Sequence, residues 1–299
     1  MLLEFKNIEK SFGEKKVLND VSFKAQSGKA FGLLGRNGAG KTTSIRILMN
    51  VFPADCGEVL IDGQPINYDK VGIGYLPEER GLYPKKIIID QLKYFAELKG
   101  MSGKTAVKTI DYWLERLEMT EYRNKRLDTL SKGNQQKIQL ITALTHDPDI
   151  IILDEPFSGL DPVNAMLLKD VVKEQISKNK IVLFSSHQMS YIEEFCDSIA
   201  ILNNGTVALQ GNLNDIKREY PRDRLVVRTE CPEKIMVDFA LPCTLKENKE
   251  LIINLKSVED KKLVMAQLAK DYDIDEVRVF EPSLNDIFVE YAGSSVKEG

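Results

Sequence analysis

The run GRNGAGKT, from Gly35 to Thr42, contains residues that could bind and activate a phosphate. It follows the apolar run AFGLL and leads into TSIRILMN, which predicts a helix. Glycines allow several backbone N–H groups to point at one phosphate, and a helix start adds partial positive charge. The pattern therefore predicts a phosphate-binding loop for a nucleotide, in which Lys41 contacts the phosphates and Thr42 binds Mg²⁺. The predicted nucleotide-binding residues of this loop are Gly35, Asn37, Gly38, Gly40, Lys41, Thr42 and Thr43.

A pair of carboxylates ends the apolar run that begins at Ile150. An apolar strand would deliver Asp154 and Glu155 to the sheet edge where the phosphate-binding loop lies. Asp154 would then hold Mg²⁺, and Glu155 would face the attacking water as a general base. Acidic residues at a strand end are often only solvated, but the phosphate-binding loop upstream favours a catalytic role.

Three further segments occur in an order that resembles a known family. LSKGNQQK, from Leu130, resembles the LSGGQ signature of ABC ATPases, with Lys132 and Asn134 in place of the family's residues. SGLD, ending at Asp161, follows the acidic pair where the family has its D-loop. SSH, ending at His187, follows the run IVLF where the family has its switch histidine. The resemblance to ABC ATPases covers residues 2–215.

The resemblance implies roles for individual residues. Ser131 and Gly133 would touch the γ-phosphate of ATP bound to an opposite copy, which implies a head-to-tail homodimer. Asp161 would lie beside the nucleotide, and His187 would contact its γ-phosphate. Phe12 would stack on adenine, although core packing is the alternative for any phenylalanine. The predicted catalytic residues are Lys41, Glu155 and His187.

Glu78 departs from the family pattern. It stands where ABC ATPases have the glutamine of the Q-loop, in the run GYLPE. A carboxylate there could still bind Mg²⁺, so the predicted metal ligands are Thr42, Asp154 and Glu78. Its negative charge beside the phosphates would also change how the nucleotide is coupled to a membrane partner.

The runs LPEERGLYPK and LSKGNQQK, with the terminal EPSLNDIF, resemble one subgroup. These are ATP-binding subunits of bacterial exporters with separate permease chains, including the Nat-type sodium-extrusion ATPases. The resemblance implies an ATPase that drives export, with sodium ions as one candidate cargo. The expected partners are an integral-membrane permease, docked around residues 78–94, and a second ATPase chain. The expected location is cytoplasmic, peripheral on the inner face of the cell membrane.

Two other functional classes remain open at this stage. One is a soluble ABC ATPase acting on the ribosome or nucleic acid, and the other is a nucleotide-binding regulator without turnover. A net charge of -4 gives no general electrostatic reason to bind nucleic acid, and no such partner is expected. The intact Lys41, Asp154 and Glu155 argue against a regulator without turnover.

The elements that must position these residues follow from hydrophobic patterning. Short β-branched runs alternate with helix-period segments up to Gly211, and NNG at residues 203–205 predicts a hairpin. The expected fold is α/β: a P-loop ABC ATPase domain with a mixed sheet core and helical signature subdomain, plus a small C-terminal α+β domain. The predicted boundaries are 1–215 for the ATPase domain, 216–223 for a linker, 224–292 for the α+β domain, with a turn around Asn248, and 293–299 for a frayed tail.

Composition restricts the remaining possibilities. Four scattered cysteines without a CxxC pair, and two histidines, argue against a zinc site or a disulfide framework. The apolar runs are shorter than the roughly 20 residues that cross a bilayer, and the first residues do not resemble a secretory signal. The sequence therefore predicts a soluble chain with reduced thiols.

Overall fold

The computed structural model describes residues 1–79, 81–186, 188–238, 241–246 and 250–293. Contacts divide the chain into two units. The first comprises Met1–Leu213 together with the described residues from Phe288 onward, and the second comprises Asn214–Ile287. Of the frayed tail expected at residues 293–299, Gly293 is the last residue of a helix, and residues 294–299 lie outside the described part of the chain.

The first unit is built on two sheets. Its strands are β1 (Leu2–Phe12), β2 (Lys15–Gln26), β3 (Ala30–Gly35), β4 (Cys56–Ile61), β5 (Gln64–Pro65), β6 (Ile73–Leu76), β7 (Ile150–Asp154), β8 (Ile181–Ser185), β9 (Ser198–Asn203) and β10 (Thr206–Asn212). Its helices are α1 (Lys41–Leu48), α2 (Ile88–Leu98), α3 (Gly103–Arg116), α4 (Lys132–Leu144), α5 (Pro162–Ser177) and α6 (Met189–Phe195). Within the described residues, the order of the larger sheet is β10-β9-β3-β8-β7-β6.

This larger sheet forms the core of the first unit. β9, β3, β8, β7 and β6 run parallel, and β10 pairs antiparallel with β9. β3, β7 and β8 are buried along their whole length, as expected for apolar strands covered on both faces. The hairpin expected at NNG is present, because Asn204 and Gly205 adopt the positive φ angles of 47° and 78° that a tight turn requires. The predicted mixed α/β sheet is confirmed.

A smaller antiparallel sheet in the order β2-β1-β4-β5 packs on this core. Phe5 and Phe23 stack with ring centroids 4.3 Å apart, and Phe23 stacks on Phe31 of the larger sheet at 5.1 Å. These three aromatic side chains are at most 4% exposed and belong to one hydrophobic cluster that joins both sheets. The smaller sheet thereby fixes the position of the β1–β2 hairpin.

Helices α2, α3 and α4 form the predicted helical subdomain. Ile110, Trp113 and Leu114 of α3 are buried, and the buried Nζ of Lys137 in α4 donates to the carbonyl of Leu117 at 3.1 Å. Burial lowers the pKa of Lys137. The subdomain therefore holds α4, the helix that follows the signature-like run, in a fixed position.

The second unit is a small α+β domain, as predicted. Its elements are β11 (Arg224–Arg228), α8 (Pro232–Asp238), β12 (Cys243–Leu245), β13 (Glu250–Asn254), α9 (Lys261–Asp271) and β14 (Glu276–Val279). The described strands form an antiparallel sheet in the order β12-β13-β11-β14. Ile235 of α8 and Leu268 of α9 pack on this sheet in one hydrophobic cluster. The turn expected around Asn248 lies outside the described residues, although Leu245 and Leu251 on either side of it pair.

Two helices lie at the borders between the units. Helix α7 (Leu213–Glu219) covers part of the segment expected to be a linker, and α10 (Leu284–Gly293) begins in the second unit and ends in the first. The grouping of the last turns of α10 with the first unit differs from the boundary drawn at residue 292. Its physical basis is that Asn203 Nδ2 donates to the carbonyl of Tyr291 at 3.1 Å, and Ala292 is buried. Among the described residues, none of the helices is long and apolar enough to cross a membrane.

Gly74 sets the distance between β6 and α4. A Cβ added at this position would lie 2.2 Å from the carbonyl oxygen of Ala143, a backbone atom that cannot turn away. We expect Gly74→Ala to destabilise the first unit by about 2 kcal/mol because α4 must shift to admit the methyl group. Urea unfolding followed by the fluorescence of Trp113 measures this.

Gly81→Ala is the matched control, because the nearest atom to its added Cβ is Pro77 Cγ at 3.8 Å. Equal unfolding midpoints for the two variants would show that the approach of α4 to β6 is not a packing constraint.

Candidate nucleotide-binding site

The phosphate-binding loop connects β3 to α1. Gly40, at the start of α1, has a φ of 110°, and an added Cβ would lie 2.4 Å from Leu18 Cδ2. Gly38 has a φ of 83° and open space around it. Glycine at both positions lets the backbone turn its N–H groups outward. The first turn of α1, which the structure describes in full, contains no acidic residue, so its positive end is available to an anion.

A cavity of about 420 Å³ opens over this loop. It brings together residues from the three segments in which sequence patterns predicted chemistry, the loop, the acidic pair and Glu78. Lys15 and Val17 also line it, and sequence reasoning missed them because their alternation in β2 marks only an ordinary strand. The lining residues are Lys15, Val17, Arg36, Asn37, Gly38, Gly40, Lys41, Thr42, Thr43, Glu78, Asp154 and Glu155.

Lys41 folds back on its own loop. Its Nζ donates to the carbonyl of Gly35 at 2.7 Å and lies 3.4 Å from that of Arg36. Burial lowers the pKa of Lys41, while the nearby carboxylates of Asp154, Glu155 and Glu78 oppose that shift. The ammonium group is thus held by the loop at the cavity, with its charge partly removed from solvent.

Asp154 lies buried at the end of β7. It is 6% exposed, and burial raises its pKa; the charges of Glu78 and Glu155 add to this effect, while the side chain of Ser185 and the charge of Lys41 oppose it. The hydroxyl of Tyr75 donates to Asp154 Oδ2 at 3.4 Å. Burial, reinforced by Asp154, raises the pKa of Tyr75 to about 12, so this hydroxyl remains a donor. Sequence reasoning assigned Tyr75 to a strand and missed this contact.

Glu155 is held in an unusual backbone conformation. Its φ is 49°, and its N–H donates to the carbonyl of Ser185 at 2.8 Å. The hydroxyl of Ser186 donates to Glu155 Oε2 at 2.9 Å, and both side chains are buried. A backbone strained at a functional residue persists only where its surroundings enforce it, here through β8 and the turn that follows. His187, predicted to contact the γ-phosphate of the nucleotide, lies outside the described residues.

The signature-like run and the D-loop form a second surface. Ser131 caps α4 by accepting from the N–H of Asn134 at 3.3 Å, and Asp161 caps α5. Gly133 is buried, and a Cβ added to it would lie 3.4 Å from Leu160 Cδ2. Hydrogen bonds to Asp161 from the N–H and side chain of Asn164 lower the pKa of its carboxylate. The described lining of the cavity at Lys41 does not include Ser131, Gly133 or Asp161.

Phe12 also lies apart from the described cavity lining. Its ring is 50% exposed and meets Phe52 edge-on, with centroids 5.4 Å apart. Phe12 pairs with Lys15 across the β1–β2 hairpin, and Lys15 does line the cavity. The aromatic face is therefore exposed on the element that forms one wall of the site.

Comparison with known proteins gives the family of this chain. A family model described as "ABC transporter" matches residues 18–158. The uncharacterized ABC transporter ATP-binding protein YhaQ of Bacillus subtilis (strain 168) is 40% identical over 295 residues, which cover 98% of this chain and 99% of the relative. The chain belongs to the ABC transporter ATP-binding proteins. As an ABC ATPase, it binds ATP and couples its hydrolysis to transport.

Further similarities extend over both units of this ABC ATPase. A model described as "ATP-binding protein DrrA1-3-like, C-terminal domain" matches residues 211–292. Nod factor export ATP-binding protein I of Burkholderia lata is 32% identical over 213 residues, 70% of each chain. A solved structure, described as that of an ATP-binding subunit of an ABC transporter, has 31% identity and a TM-score of 0.68, covering 74% of this chain and 93% of its own.

Burial of Asp154 predicts a pH-dependent stability. Because its pKa is raised, the folded protein holds a proton that the unfolded chain has lost, so stability falls as pH rises from the ordinary carboxyl pKa to the raised one. Above that window Asp154 is ionised in both states, and the whole destabilisation of the folded state by the buried charge is present. We expect Asp154→Asn to stabilise the nucleotide-free protein at pH 7, by the order of 1 kcal/mol.

The measurement is thermal unfolding of both proteins in a metal chelator across pH. The difference should vanish as the pH falls below the window, since Asp154 is then neutral in both states. A variant less stable than wild type at pH 7 would contradict the assignment of Asp154 as a destabilising buried charge.

Proposed function

We propose that this ABC ATPase drives export through a separate membrane permease, as a pair of chains that close head to tail on ATP. The observation that carries the proposal is the division of its site residues between two surfaces. Lys41, Asp154 and Glu155 line one cavity, whereas the described lining of that cavity excludes Ser131 and Gly133. Because Ser131 is exposed at the start of α4, it is available to a second chain.

Within one chain, the phosphate-binding loop binds the nucleotide. Backbone N–H groups from Asn37 to Lys41 surround the phosphates, and Thr43 extends that contact into the first turn of α1. Lys41 would exchange its carbonyl partners in the loop for phosphate oxygens. Phe12 would stack on the adenine ring from the hairpin that also contributes Lys15.

The donors beside Lys41 fit a magnesium ion. Thr42 offers a hydroxyl, while Asp154 and Glu78 offer carboxylates, and all three line the same cavity. Hard oxygen donors of this kind are the ligands that Mg²⁺ prefers. Bound there, the ion would neutralise charge on the phosphates.

Glu155 is the proposed general base. Its backbone is fixed by Ser185 and its carboxylate by Ser186, so the carboxylate is preorganised to take a proton from the attacking water. Lys41 would stabilise the negative charge that develops during phosphoryl transfer. His187 completes the proposed catalytic set on the sequence pattern alone.

The second chain would supply the remaining contacts. Ser131 and Gly133 at the start of α4 would close on the γ-phosphate of the opposite chain, with Asp161 beside them. Gly133 packs against Leu160, so the signature-like run and the D-loop form one surface. ATP then joins the two chains, and release of products lets them separate.

An apolar groove supports the permease as a partner. The groove has a volume of about 530 Å³ and lies between α1, β6, α2 and α4. Beside it, Tyr94 of α2 is 50% exposed, Leu98 is 64% exposed, and Tyr83 stacks on Phe95 with centroids 6.1 Å apart. We call it the docking groove; the lining residues used below are Val51, Tyr68, Tyr75, Phe95 and Leu98.

Exposed aromatic and aliphatic side chains around a concavity fit a helix of a partner protein. We assign this partner to the permease, which would place the chain at the inner face of the cell membrane. Export as the direction of transport is supported by the Nod factor export relative. Sodium ions stay a candidate cargo that rests on the sequence resemblance, and sodium efflux from cells that express the complete transporter is the measurement that checks it.

Replacing the proposed base separates binding from hydrolysis. We expect Glu155→Gln to lower steady-state phosphate release by about 100-fold or more, because the amide cannot accept the proton of water. The variant should still bind ATP and should become dimeric when ATP and Mg²⁺ are added, which light scattering would measure. Glu58→Gln, at an exposed carboxylate in β4, is the control. Unchanged turnover in Glu155→Gln would remove Glu155 from the chemistry.

Charge in the docking groove should prevent association with the permease. Leu98→Glu places a carboxylate on an exposed apolar surface, so we expect the chain to be lost from washed membranes while its unfolding temperature is unchanged. Val237→Glu is the matched control, because Val237 is apolar and 84% exposed in the second unit. Equal membrane recovery of both variants, with the same membrane-spanning partner identified by mass spectrometry, would place the permease elsewhere.

A further inference from the structure

Two tyrosines of the docking groove differ in what their hydroxyl groups reach. Tyr68 donates to the backbone carbonyl of Leu48 at 3.1 Å, at the end of α1. Tyr75 donates to the side chain of Asp154, with its hydroxyl 3.4 Å from Oδ2. Both rings line the groove, but Tyr75 alone of the pair also contacts a carboxylate of the nucleotide cavity.

The backbone of Tyr75 is fixed by the sheet. Tyr75 lies in β6, paired in parallel register with Ile152 of β7, the strand that ends at Asp154. Its ring packs against the main hydrophobic cluster, and its side chain is half-buried. One side chain therefore has its ring in the groove and its hydroxyl beside a carboxylate that lines the nucleotide cavity.

The negative charges around Asp154 give its hydrogen bond from Tyr75 a role in orienting the carboxylate. Asp154 shares its cavity with the carboxylates of Glu78 and Glu155, and repulsion between like charges disfavours orientations that bring it close to them. A hydroxyl can hold the carboxylate by a hydrogen bond without neutralising it. Groups that orient a metal ligand from behind in this way typically change metal affinity or activity when they are removed.

We propose that Tyr75 is a positioning residue that orients Asp154 toward Mg²⁺ and links this orientation to the occupancy of the docking groove. A permease helix pressed against the ring would move the hydroxyl and, through it, the carboxylate. The second half of this inference rests on the proposed function of the groove as the permease site. The first half concerns the isolated chain and stands without it.

The first experiment compares Tyr75→Phe with Tyr68→Phe in the purified full chain. Each variant keeps its ring in the groove and loses one hydroxyl. Binding of a fluorescent ATP analogue is titrated with Mg²⁺ and in a chelator, and phosphate release is measured in parallel. In Tyr75→Phe we expect the gain in ATP affinity from Mg²⁺ to fall roughly 10-fold and kcat to fall similarly. Affinity in the chelator should stay within about twofold of wild type, since the loop still binds the phosphates.

The control decides between positioning and packing. Tyr68→Phe should retain the wild-type response to Mg²⁺, because its hydroxyl contacts only a backbone carbonyl among the bonds described for it. If Tyr75→Phe keeps the wild-type response, or if both variants lose it equally, the proposal is overturned.

The second experiment tests the link to the groove by a double-mutant cycle. Val51 lines the groove and is 61% exposed, so Val51→Trp adds a bulky ring at its rim. We expect Val51→Trp to change turnover by about threefold in the protein that retains Tyr75, and to have little further effect in Tyr75→Phe. A coupling of this size lies at the low end of the range for interacting residues. The Tyr68→Phe background should retain the threefold change.

Additive effects of Val51→Trp and Tyr75→Phe would overturn the link to the groove. Failure of Leu98→Glu to release the chain from membranes would instead count against the permease site itself, and would leave the Mg²⁺ titration of Tyr75→Phe unaffected. The two failures are therefore distinguishable.

Discussion

The cost of keeping Lys41, Asp154 and Glu155 together in one cavity is the constraint on which the rest of the structure depends. Burial disfavours the charged forms of Lys41 and Asp154, and the repulsion between neighbouring carboxylates adds to the strain at Asp154. Rigid elements must hold these groups, since flexible ones would let them turn to solvent. Fully buried parallel strands serve this purpose, because β7 delivers the acidic pair and the adjacent β8 fixes Glu155 through Ser185.

Helix α4 connects the site to the two loops that flank it. Gln136 Nε2 donates to the carbonyl of Pro156 at 3.3 Å, directly after the acidic pair, and Gln139 Nε2 donates to that of Glu79 at 3.2 Å. Lys137 anchors the same helix to the end of the helical subdomain. A movement of α4 would therefore displace or break its hydrogen bonds both to the segment after Glu155 and to the segment after Glu78. The side chains of a single helix thus join the signature-like surface to the nucleotide cavity.

Sequence patterns predicted the parts of this protein in which chemistry requires a fixed order of residue types. The phosphate-binding loop, the strand that ends in Asp154 and the hairpin at Asn204 each have a local signal, because glycine, acidic or apolar residues are required at set positions. Tyr75 and Lys15 have no such signal. Their contacts depend on the register of β6 against β7 and on the folding of the hairpin over the loop, which tertiary packing decides. The grouping of the last turns of α10 with the first unit likewise has no local signal, since it involves a hydrogen bond from Asn203 to the carbonyl of Tyr291.

That hydrogen bond changes the topological description of the small α+β domain. By its contacts, the chain leaves the first unit after Leu213, and its segment from Phe288 groups with that unit again. The returning segment bonds to Asn203, and the N–H of Gly205 in the same turn donates to the carbonyl of Ala39 in the phosphate-binding loop at 3.2 Å. A truncation after Leu213 would thus remove part of the ATPase unit along with the domain.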